Sequence, residues 1–177
     1  MMSLVVAVMP GEVNIHKGAR QTGIIFDEQY HKPERGFAGG YQIQAAGTDP
    51  AGMISFYTGW GEGAAEYMEN YRHQAASFLT GEDPPQAENR IELHPTERDA
   101  NGLPVPVLNY EMHANTVAMQ NHGNQQTAAL YESLGGKVHV KTKGPIIGCH
   151  NMGTARMSVN PDDGVTNGWG QVHHIPN

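Results

Sequence analysis

His150 opens the run H-N-M-G-T-A-R-M, which places an imidazole, an amide, a hydroxyl and a guanidinium within seven residues. An unperturbed imidazole has a pKa of about 6.5, so it can take up or release a proton near neutral pH. Gly153 within the run and Gly144-Pro145 before it exclude a long helix or an alternating strand. The run therefore predicts a loop that presents a side chain, although a single histidine is more often structural.

Short apolar segments predict the strands that would support this loop, at residues 3–9, 12–16, 22–27, 41–45, 53–58, 89–94, 105–110 and 137–141. The strands at 89–94 and 105–110 are predicted to form a hairpin, because Asp99-Ala100-Asn101-Gly102 between them is a strong turn signal. The last strand leads directly toward His150.

Two helices are predicted. Ala64, Met68, Tyr71, Ala75 and Phe78 fall on one helical face, and Gly81 follows as a stop. A second helix is predicted from Asn115, as its N-cap, to about Leu134, with Gly135-Gly136 as its end. Gly123 lies inside this helix and its apolar stripe is weak.

Composition favours an α+β fold with an antiparallel or mixed sheet of about five or six strands and helices on one face. Apolar residues make up 38% and charged residues 16%, with 22 glycines and 11 prolines, which suits a loop-rich sheet domain. The net charge is −7 and the sequence contains no run of lysine or arginine, so nucleic acid is not an expected partner. The apolar segment at residues 4–9 is too short to cross a membrane.

Three other site types receive little support. Residues 59–63, G-W-G-E-G, lack the G-x-G-x-x-G spacing of a dinucleotide site. No metal site is expected, because the ten histidines form neither H-E-x-x-H nor a facial triad. A small metal hydrolase that uses the histidine-rich C-terminus is the weakest alternative. The single Cys149 excludes an internal disulfide.

Several ordered motifs resemble the glucose-methanol-choline (GMC) flavoprotein oxidoreductases. They are H-x-x-G-T-x-R-M at residues 150–157, P-x-x-G-V at 161–165 and V-H-x-[IV]-x-N at 172–177. Residues 89–106 resemble the substrate-domain hairpin of the same family. The most similar branch is the flavoprotein subunit of gluconate, fructose and sorbitol-type dehydrogenases.

The resemblance implies an FAD-dependent oxidoreductase that acts on the CH–OH groups of sugars, sugar acids or polyols by hydride transfer to flavin. His150 would be the proton acceptor for the hydroxyl. Asn151, Thr154 and Arg156 would lie near the substrate or the flavin, although a turn and a loop-tying arginine are the more common roles. Asn167, His173 and His174 are candidate cofactor contacts, with a surface hairpin as the alternative.

By the same resemblance, residues 1–143 correspond to a substrate-binding domain, and residues 144–177 begin a catalytic segment. The family's D-G-S turn and its dinucleotide-binding half have no counterpart in the sequence, so we expect a fragment that does not hold FAD alone. The alternative is a catalytically inactive domain that serves only as a binding or assembly module.

Further expectations from the resemblance concern partners and location. They are a small-molecule alcohol or sugar substrate, a small subunit and a cytochrome c subunit. The location would be cytoplasmic, or periplasmic or membrane-associated through partner subunits.

Overall fold

The computed structural model describes residues 2–21, 23–142, 144 and 152–175. The chain divides into two compact units, Met1–Ile147 and Gly148–Asn177. The division of the sequence into a substrate-binding domain and a catalytic segment stays a prediction.

The described residues of the first unit form seven strands and three α-helices. In chain order they are β1 (Met2–Val8), β2 (Ile24–Ile25), β3 (Tyr41–Ala46), α1 (Pro50–Ile54), α2 (Glu62–Glu69), β4 (Gln74–Gly81), β5 (Arg90–Arg98), β6 (Pro104–Asn109), α3 (Ala114–Ser133) and β7 (Lys137–Lys141). Five strands form a sheet in the order β2-β3-β4-β1-β7, and every pair is antiparallel. The predicted α+β class and the number of strands in the sheet are confirmed.

β1 is buried on both faces because its residues from Leu4 to Val8 form a continuous apolar run. Leu4 and Val6 pack against the side of the sheet that carries α1 and α2, while Val5 and Ala7 pack toward Tyr131 of α3. All four side chains are almost completely buried. A run that is apolar on both faces is typical of a central strand that is covered on both sides.

The helices lie on both faces of the sheet, not on one face as predicted. α3 covers one face, where Met119 contacts Ile43 and Leu79. On the other face, Met53 of α1 and Tyr67 of α2 complete a core with Leu4 and Val6. The prediction was wrong because α1 was interpreted as a strand, and because the sequence does not show that the helix that became α2 packs on the face opposite α3.

α1 replaces the strand predicted at residues 53–58. Asp49 is its N-cap, and one carboxylate oxygen accepts a hydrogen bond from the Gly52 backbone N–H at 2.9 Å. Pro50 occupies the first helical turn, where its fixed φ and missing N–H are tolerated. These two signals start a helix and outweigh the apolar run that follows.

The helix predicted across residues 64–78 is two elements. α2 ends at Glu69, and a turn closes with the His73 N–H donating to the Asn70 carbonyl at 2.8 Å. β4 then begins at Gln74 and lies between β3 and β1. The segment at residues 12–16 also forms no strand, since the N–H groups of Val13 and Asn14 both donate to the Arg72 carbonyl.

α3 confirms the predicted long helix but not its predicted cap. His113 is the N-cap, and its Nδ1 accepts from the Asn115 N–H at 3.1 Å. The Asn115 side chain instead forms two hydrogen bonds with the backbone of Ala38, at 2.7 and 3.0 Å. No helix among the described residues combines the length and the apolarity needed to cross a membrane.

The predicted hairpin is confirmed as β5 and β6. One Asp99 carboxylate oxygen accepts hydrogen bonds from the N–H groups of Asn101 and Leu103, at 2.8 and 2.9 Å, which closes its tip. Ile91 pairs with Leu108 and Leu93 pairs with Pro106, so one face of the hairpin is apolar. The side chains of Ile91, Leu93 and Leu108 are exposed.

A partly buried ion pair organises the loop before β3. The Arg35 side chain is 6% exposed, and its guanidinium donates to a Glu28 carboxylate oxygen at 2.6 Å and to the Gly39 carbonyl at 2.9 Å. Burial acts to raise the pKa of Glu28, but hydrogen bonds from Lys32 and Arg35 hold that pKa below its usual value. The pair therefore stabilises the fold above the unfolded pKa of the carboxyl, and this contribution is lost as the pH falls through the lowered pKa.

We expect Arg35→Met to reduce the free energy of unfolding by about 2 kcal/mol at neutral pH, because Glu28 loses a charged partner. Urea unfolding of the wild-type and variant chains measures this difference. The difference should shrink in acid as the carboxyl becomes protonated. A difference that does not change with pH would show that Arg35 acts through its hydrogen bonds to backbone carbonyls and its stacking over the Phe37 ring, and not through the ion pair.

Candidate functional site

His150 and Asn151 lie outside the described residues, so their predicted roles stay predictions. Among the other predicted residues, Thr154 is exposed and forms a turn with Ala155. The preceding Gly153 has a φ of 95°, a left-handed conformation that favours glycine. The turn that follows His150 in the sequence therefore depends on this glycine.

Arg156 closes the loop that follows this turn. Its guanidinium donates to the backbone carbonyl of Asp163, and its own carbonyl accepts from the Val165 N–H at 2.8 Å and from the Thr166 N–H at 3.3 Å. The side chain is thus used to tie a loop to a backbone carbonyl. This contact is the alternative that the sequence left open beside a role near the flavin.

Asn167 organises the short hairpin that follows. Its side-chain oxygen accepts from the N–H groups of Trp169 and Gln171, at 2.9 and 3.1 Å, and its amide nitrogen donates to the Gln171 side chain at 3.2 Å. Thr166 and Val172 form an antiparallel bridge across the base of this hairpin. The tip carries Trp169, whose side chain is 95% exposed.

His173 is held by the backbone of the same unit. Its Nε2 donates to the Ser158 carbonyl at 3.0 Å, which leaves Nδ1 as an acceptor when the ring is neutral. The adjacent His174 is exposed, and the two ring centroids are 6.4 Å apart. No group of three His, Cys, Asp or Glu side chains in the described part of the chain could hold a metal ion.

Three of the predicted residues line one cavity. Asn167, His173 and His174 lie together around a space of about 320 Å³, with Gln171, Val172 and Ile175. Thr154 and Arg156 do not line this cavity.

The first unit has a separate cavity, also of about 320 Å³, on the side of the sheet that carries α1. Its apolar wall is formed by Leu4, Met53, Phe56, Ala76 and Phe78, with the two phenylalanine rings edge to face at 5.9 Å. Its polar groups come from Arg20, Gln21 and Thr48. A volume of this size suits a small organic molecule.

Sequence reasoning missed these three polar residues because no motif links them. Arg20 and Gln21 belong to the loop before β2, while Thr48 belongs to the loop after β3. Arg20 lies 3.9 Å from Asp49, and both side chains are largely exposed. Two adjacent polar residues before a predicted strand, such as Arg20 and Gln21, are common in proteins. They indicate a binding site only once the fold shows what lies beside them.

The described residues do not fit the dinucleotide part of a flavin cofactor. Such a site needs a parallel β-α-β unit with a glycine-rich turn at the start of its helix. Every strand pair in the sheets of the first unit is antiparallel. Gly61 does precede α2, but it follows a turn after α1, not a strand. The glycine segment at residues 59–63 therefore forms a loop that leads into a helix.

An antiparallel sheet covered by helices on both faces defines the first unit as an α+β domain. Residues 85–177, more than half of the chain, match the family model described as GMC oxidoreductase. The chain belongs to the GMC oxidoreductase family. The predicted family is confirmed.

Two characterised relatives are similar in sequence. The chain is 34% identical over 173 residues to 2-methyl-1,2-propanediol dehydrogenase of Mycolicibacterium austroafricanum, an alignment that covers 92% of this chain and 31% of that protein. It is 29% identical over 97 residues to paromamine 6'-oxidase of Streptomyces fradiae, which covers 54% of this chain and 18% of that protein. The chain therefore spans about a third of the first relative and less of the second.

Proposed function

We propose that this chain is part of an FAD-dependent oxidoreductase that oxidises CH–OH groups of small, hydroxyl-rich molecules such as polyols, sugars or sugar acids. The family match over residues 85–177 carries this proposal, because that range includes the H-x-x-G-T-x-R-M run. The names of the two relatives, a diol dehydrogenase and a paromamine oxidase, support a substrate of this class.

His150 is the proposed proton acceptor. Removal of a hydride from a carbinol carbon leaves a carbonyl only if the hydroxyl proton also departs, and a neutral imidazole within hydrogen-bond reach can take it. FAD, when bound, would supply the acceptor for the hydride. The described residues lack a dinucleotide cradle, so the cofactor would be held by polypeptide beyond them.

The two units are proposed to contribute different parts of this function. The cavity of the first unit combines an apolar wall with the polar groups of Arg20, Gln21 and Thr48. This combination suits a molecule that has both a carbon skeleton and several hydroxyl groups. The second unit would contribute His150, with Asn151 and Thr154 as candidate hydrogen-bonding neighbours.

Asn167, His173 and His174 stay candidate cofactor contacts, supported by their common cavity. Arg156 is the weakest of the proposed flavin-proximal residues, because its guanidinium already binds the Asp163 carbonyl. A small subunit and a cytochrome c subunit stay proposals from the resemblance to sugar dehydrogenases. The location also stays a proposal, either cytoplasmic or, through those subunits, periplasmic or membrane-associated.

A specific observation favours a second candidate, a binding module without redox activity. The hairpin of β5 and β6 exposes an apolar face formed by Ile91, Leu93 and Leu108. Such a face suits contact with other polypeptide. This candidate would not require bound flavin.

The test is the activity of the full-length protein that contains this chain. We expect the purified protein to carry FAD and to oxidise 1,2-diols, polyols or sugars with an artificial electron acceptor. The corresponding ketones and deoxy compounds are the controls, because they lack the hydroxyl to be oxidised. A protein that contains FAD but oxidises no alcohol in such a panel would contradict the proposal. A protein that binds no FAD would favour the binding module.

A further inference from the structure

We propose that Gln120 and Asn124 are positioning residues, which fix the path of the chain as it leaves the sheet toward His150. The inference rests on the proposed function of His150. It concerns a part of the molecule that the proposed reaction does not use directly, the buried polar side of α3. Neither residue would touch the substrate.

Gln120 pairs with Gly144 through both halves of its side-chain amide. Its Nε2 donates to the Gly144 carbonyl at 2.9 Å, and its Oε1 accepts from the Gly144 N–H at 3.2 Å. Nε2 also donates to the Met2 carbonyl at 3.3 Å. Only 2% of the Gln120 surface is exposed, so these contacts are made in the interior.

Asn124, one helical turn further along α3, holds Thr142, which lies two residues before Gly144. Its Nδ2 donates to the Thr142 carbonyl at 2.9 Å, and its Oδ1 accepts from the Ser3 hydroxyl at 2.7 Å. Residues four apart in a helix lie one above the other on the same face. The two amides therefore bind Thr142 and Gly144, two residues apart in the segment that follows β7.

The same segment is bound to β1. The N–H and the hydroxyl of Thr142 both donate to the Leu4 carbonyl, at 3.0 and 3.1 Å. Thr142 is thus held from two sides, by β1 and by α3. Together with the pairing of Gly144, these contacts fix both the position and the direction of the backbone.

The conformation of Gly144 explains why side-chain hydrogen bonds are needed here. We call the contacts of Gln120 and Asn124 with Gly144 and Thr142 the clamp. The Gly144 φ of 83° is in the left-handed region, so the chain changes direction after the last strand. Regular sheet hydrogen bonds cannot continue through such a residue. The Gln120 amide replaces them by satisfying both the N–H and the carbonyl of Gly144.

The free-energy cost of burying two amides indicates that Gln120 and Asn124 do more than fill space in the core. Burying an amide in the core is unfavourable unless its hydrogen bonds are made, whereas an apolar side chain of similar size would pack without that requirement. Both amides on this face of α3 have partners for their oxygen and nitrogen atoms. A fully satisfied buried network of this kind specifies one arrangement of the backbone.

The link to the reaction runs along the chain. Gly144 is the last described residue before His150, which follows six residues later in the sequence. Catalysis is sensitive to such placement, since a displacement of about 1 Å can lower a rate on the order of 100-fold. Loss of the clamp would release the start of this segment without removing any reacting group.

Gln74 offers a control at a second buried amide, although its Oε1 has no hydrogen-bond partner. It is also a fully buried glutamine, and its Nε2 donates to the Tyr67 carbonyl at 2.7 Å. None of its contacts involves Thr142 or Gly144. Gln74→Leu therefore tests the cost of losing a buried amide elsewhere in the same unit.

The experiment compares Gln120→Leu and Gln74→Leu in the full-length, FAD-loaded enzyme. We expect Gln120→Leu to lower kcat by about 10-fold to 100-fold, with KM and flavin content close to those of the wild type. Gln74→Leu should lower the melting temperature less, because it removes one hydrogen bond and a buried oxygen that has no partner, while kcat stays near the wild-type value. A folded Gln120→Leu enzyme with wild-type kcat would overturn the proposal, as would equal losses of kcat in both variants.

Gln120→Glu supplies a second test that does not depend on Gln120→Leu folding. An ionised carboxylate can accept from the Gly144 N–H but cannot donate to the Gly144 carbonyl, whereas a protonated carboxyl can do both. The ratio of its kcat to that of the wild type should therefore rise as the pH falls. A ratio that is constant with pH would overturn the proposal.

His150→Asn separates the two hypotheses. If that variant retains activity, the proposed function of His150 fails whatever Gln120 does. If it is inactive while Gln120→Leu has wild-type kcat and Gln120→Glu has a constant ratio, the positioning role alone fails.

Discussion

His150→Asn is expected to lower kcat of the full-length enzyme by about two to four orders of magnitude, the usual contribution of a general base. Asparagine is similar in size to part of the imidazole but cannot take up the proton of the substrate hydroxyl. Flavin content and the melting temperature should change little, because the substitution removes a proton acceptor and not a binding site for the dinucleotide. Steady-state kinetics with the best diol or sugar substrate measures the effect.

His139→Asn is the matched control for this substitution. His139 is an exposed histidine on β7, outside every group of residues assigned to the site. It should have wild-type kcat. Equal activity of the His150→Asn and His139→Asn enzymes would remove His150 from the mechanism.

Leu79→Ala is expected to reduce the free energy of unfolding by about 3 kcal/mol, within the range for a truncated core leucine. Leu79 of β4 is 1% exposed, and its side chain packs in one cluster with Ile43 of β3 and Met119 of α3. Urea unfolding of the chain measures the loss. Neighbouring side chains cannot fill the cavity left by the substitution unless the sheet and α3 move toward each other, so most of the cavity should remain.

Gly123→Ala provides the partner for a double-mutant cycle. A Cβ at Gly123 would overlap the Leu79 Cδ1 atom, so the substitution alone should cost about 1–2 kcal/mol despite the better helix propensity of alanine. In the Leu79→Ala background the same change should instead stabilise the protein, because the space is free. Additive effects of the two substitutions would show that α3 does not approach β4 as closely as the structure indicates.

The same contact explains one limit of prediction from sequence. Gly123 weakened the sequence-based prediction of α3, yet it is the residue that lets the helix lie close to β4. The weak apolar stripe has a related cause, since the buried face of α3 includes Thr116, Gln120, Asn124 and Thr127. Helical periodicity counts apolar residues, and it does not register a buried face built from hydrogen-bonded polar groups.

β4 was missed for a different reason. The residues from Ala75 to Leu79 are small or apolar at every position, which fits a central strand and one side of a helix equally well. The turn at residues 70–73 separates α2 from β4, but it contains neither glycine nor proline. Only pairing with β1 and β3 decides between the two conformations, and that information is not local.

Local signals were sufficient where turn chemistry was strong. Asp99 and Gly102 identified the hairpin, and Gly135 identified the end of α3, as the structure confirms. The motif around His150 predicted the family, which the match over residues 85–177 confirms. The cavity of the first unit was beyond reach, because its lining comes from segments brought together by the fold.

The most direct test of the proposed function is the pH dependence of flavin reduction in the full-length enzyme. Rapid anaerobic mixing with a diol or sugar substrate measures hydride transfer before any electron acceptor is involved. The proposed function predicts that the wild-type rate rises with pH through one ionisation and then levels off, as a base loses its proton. It also predicts that His150→Asn is slow and lacks this rise. A His150→Asn enzyme whose flavin is reduced at the wild-type rate, with the same pH dependence, would contradict it.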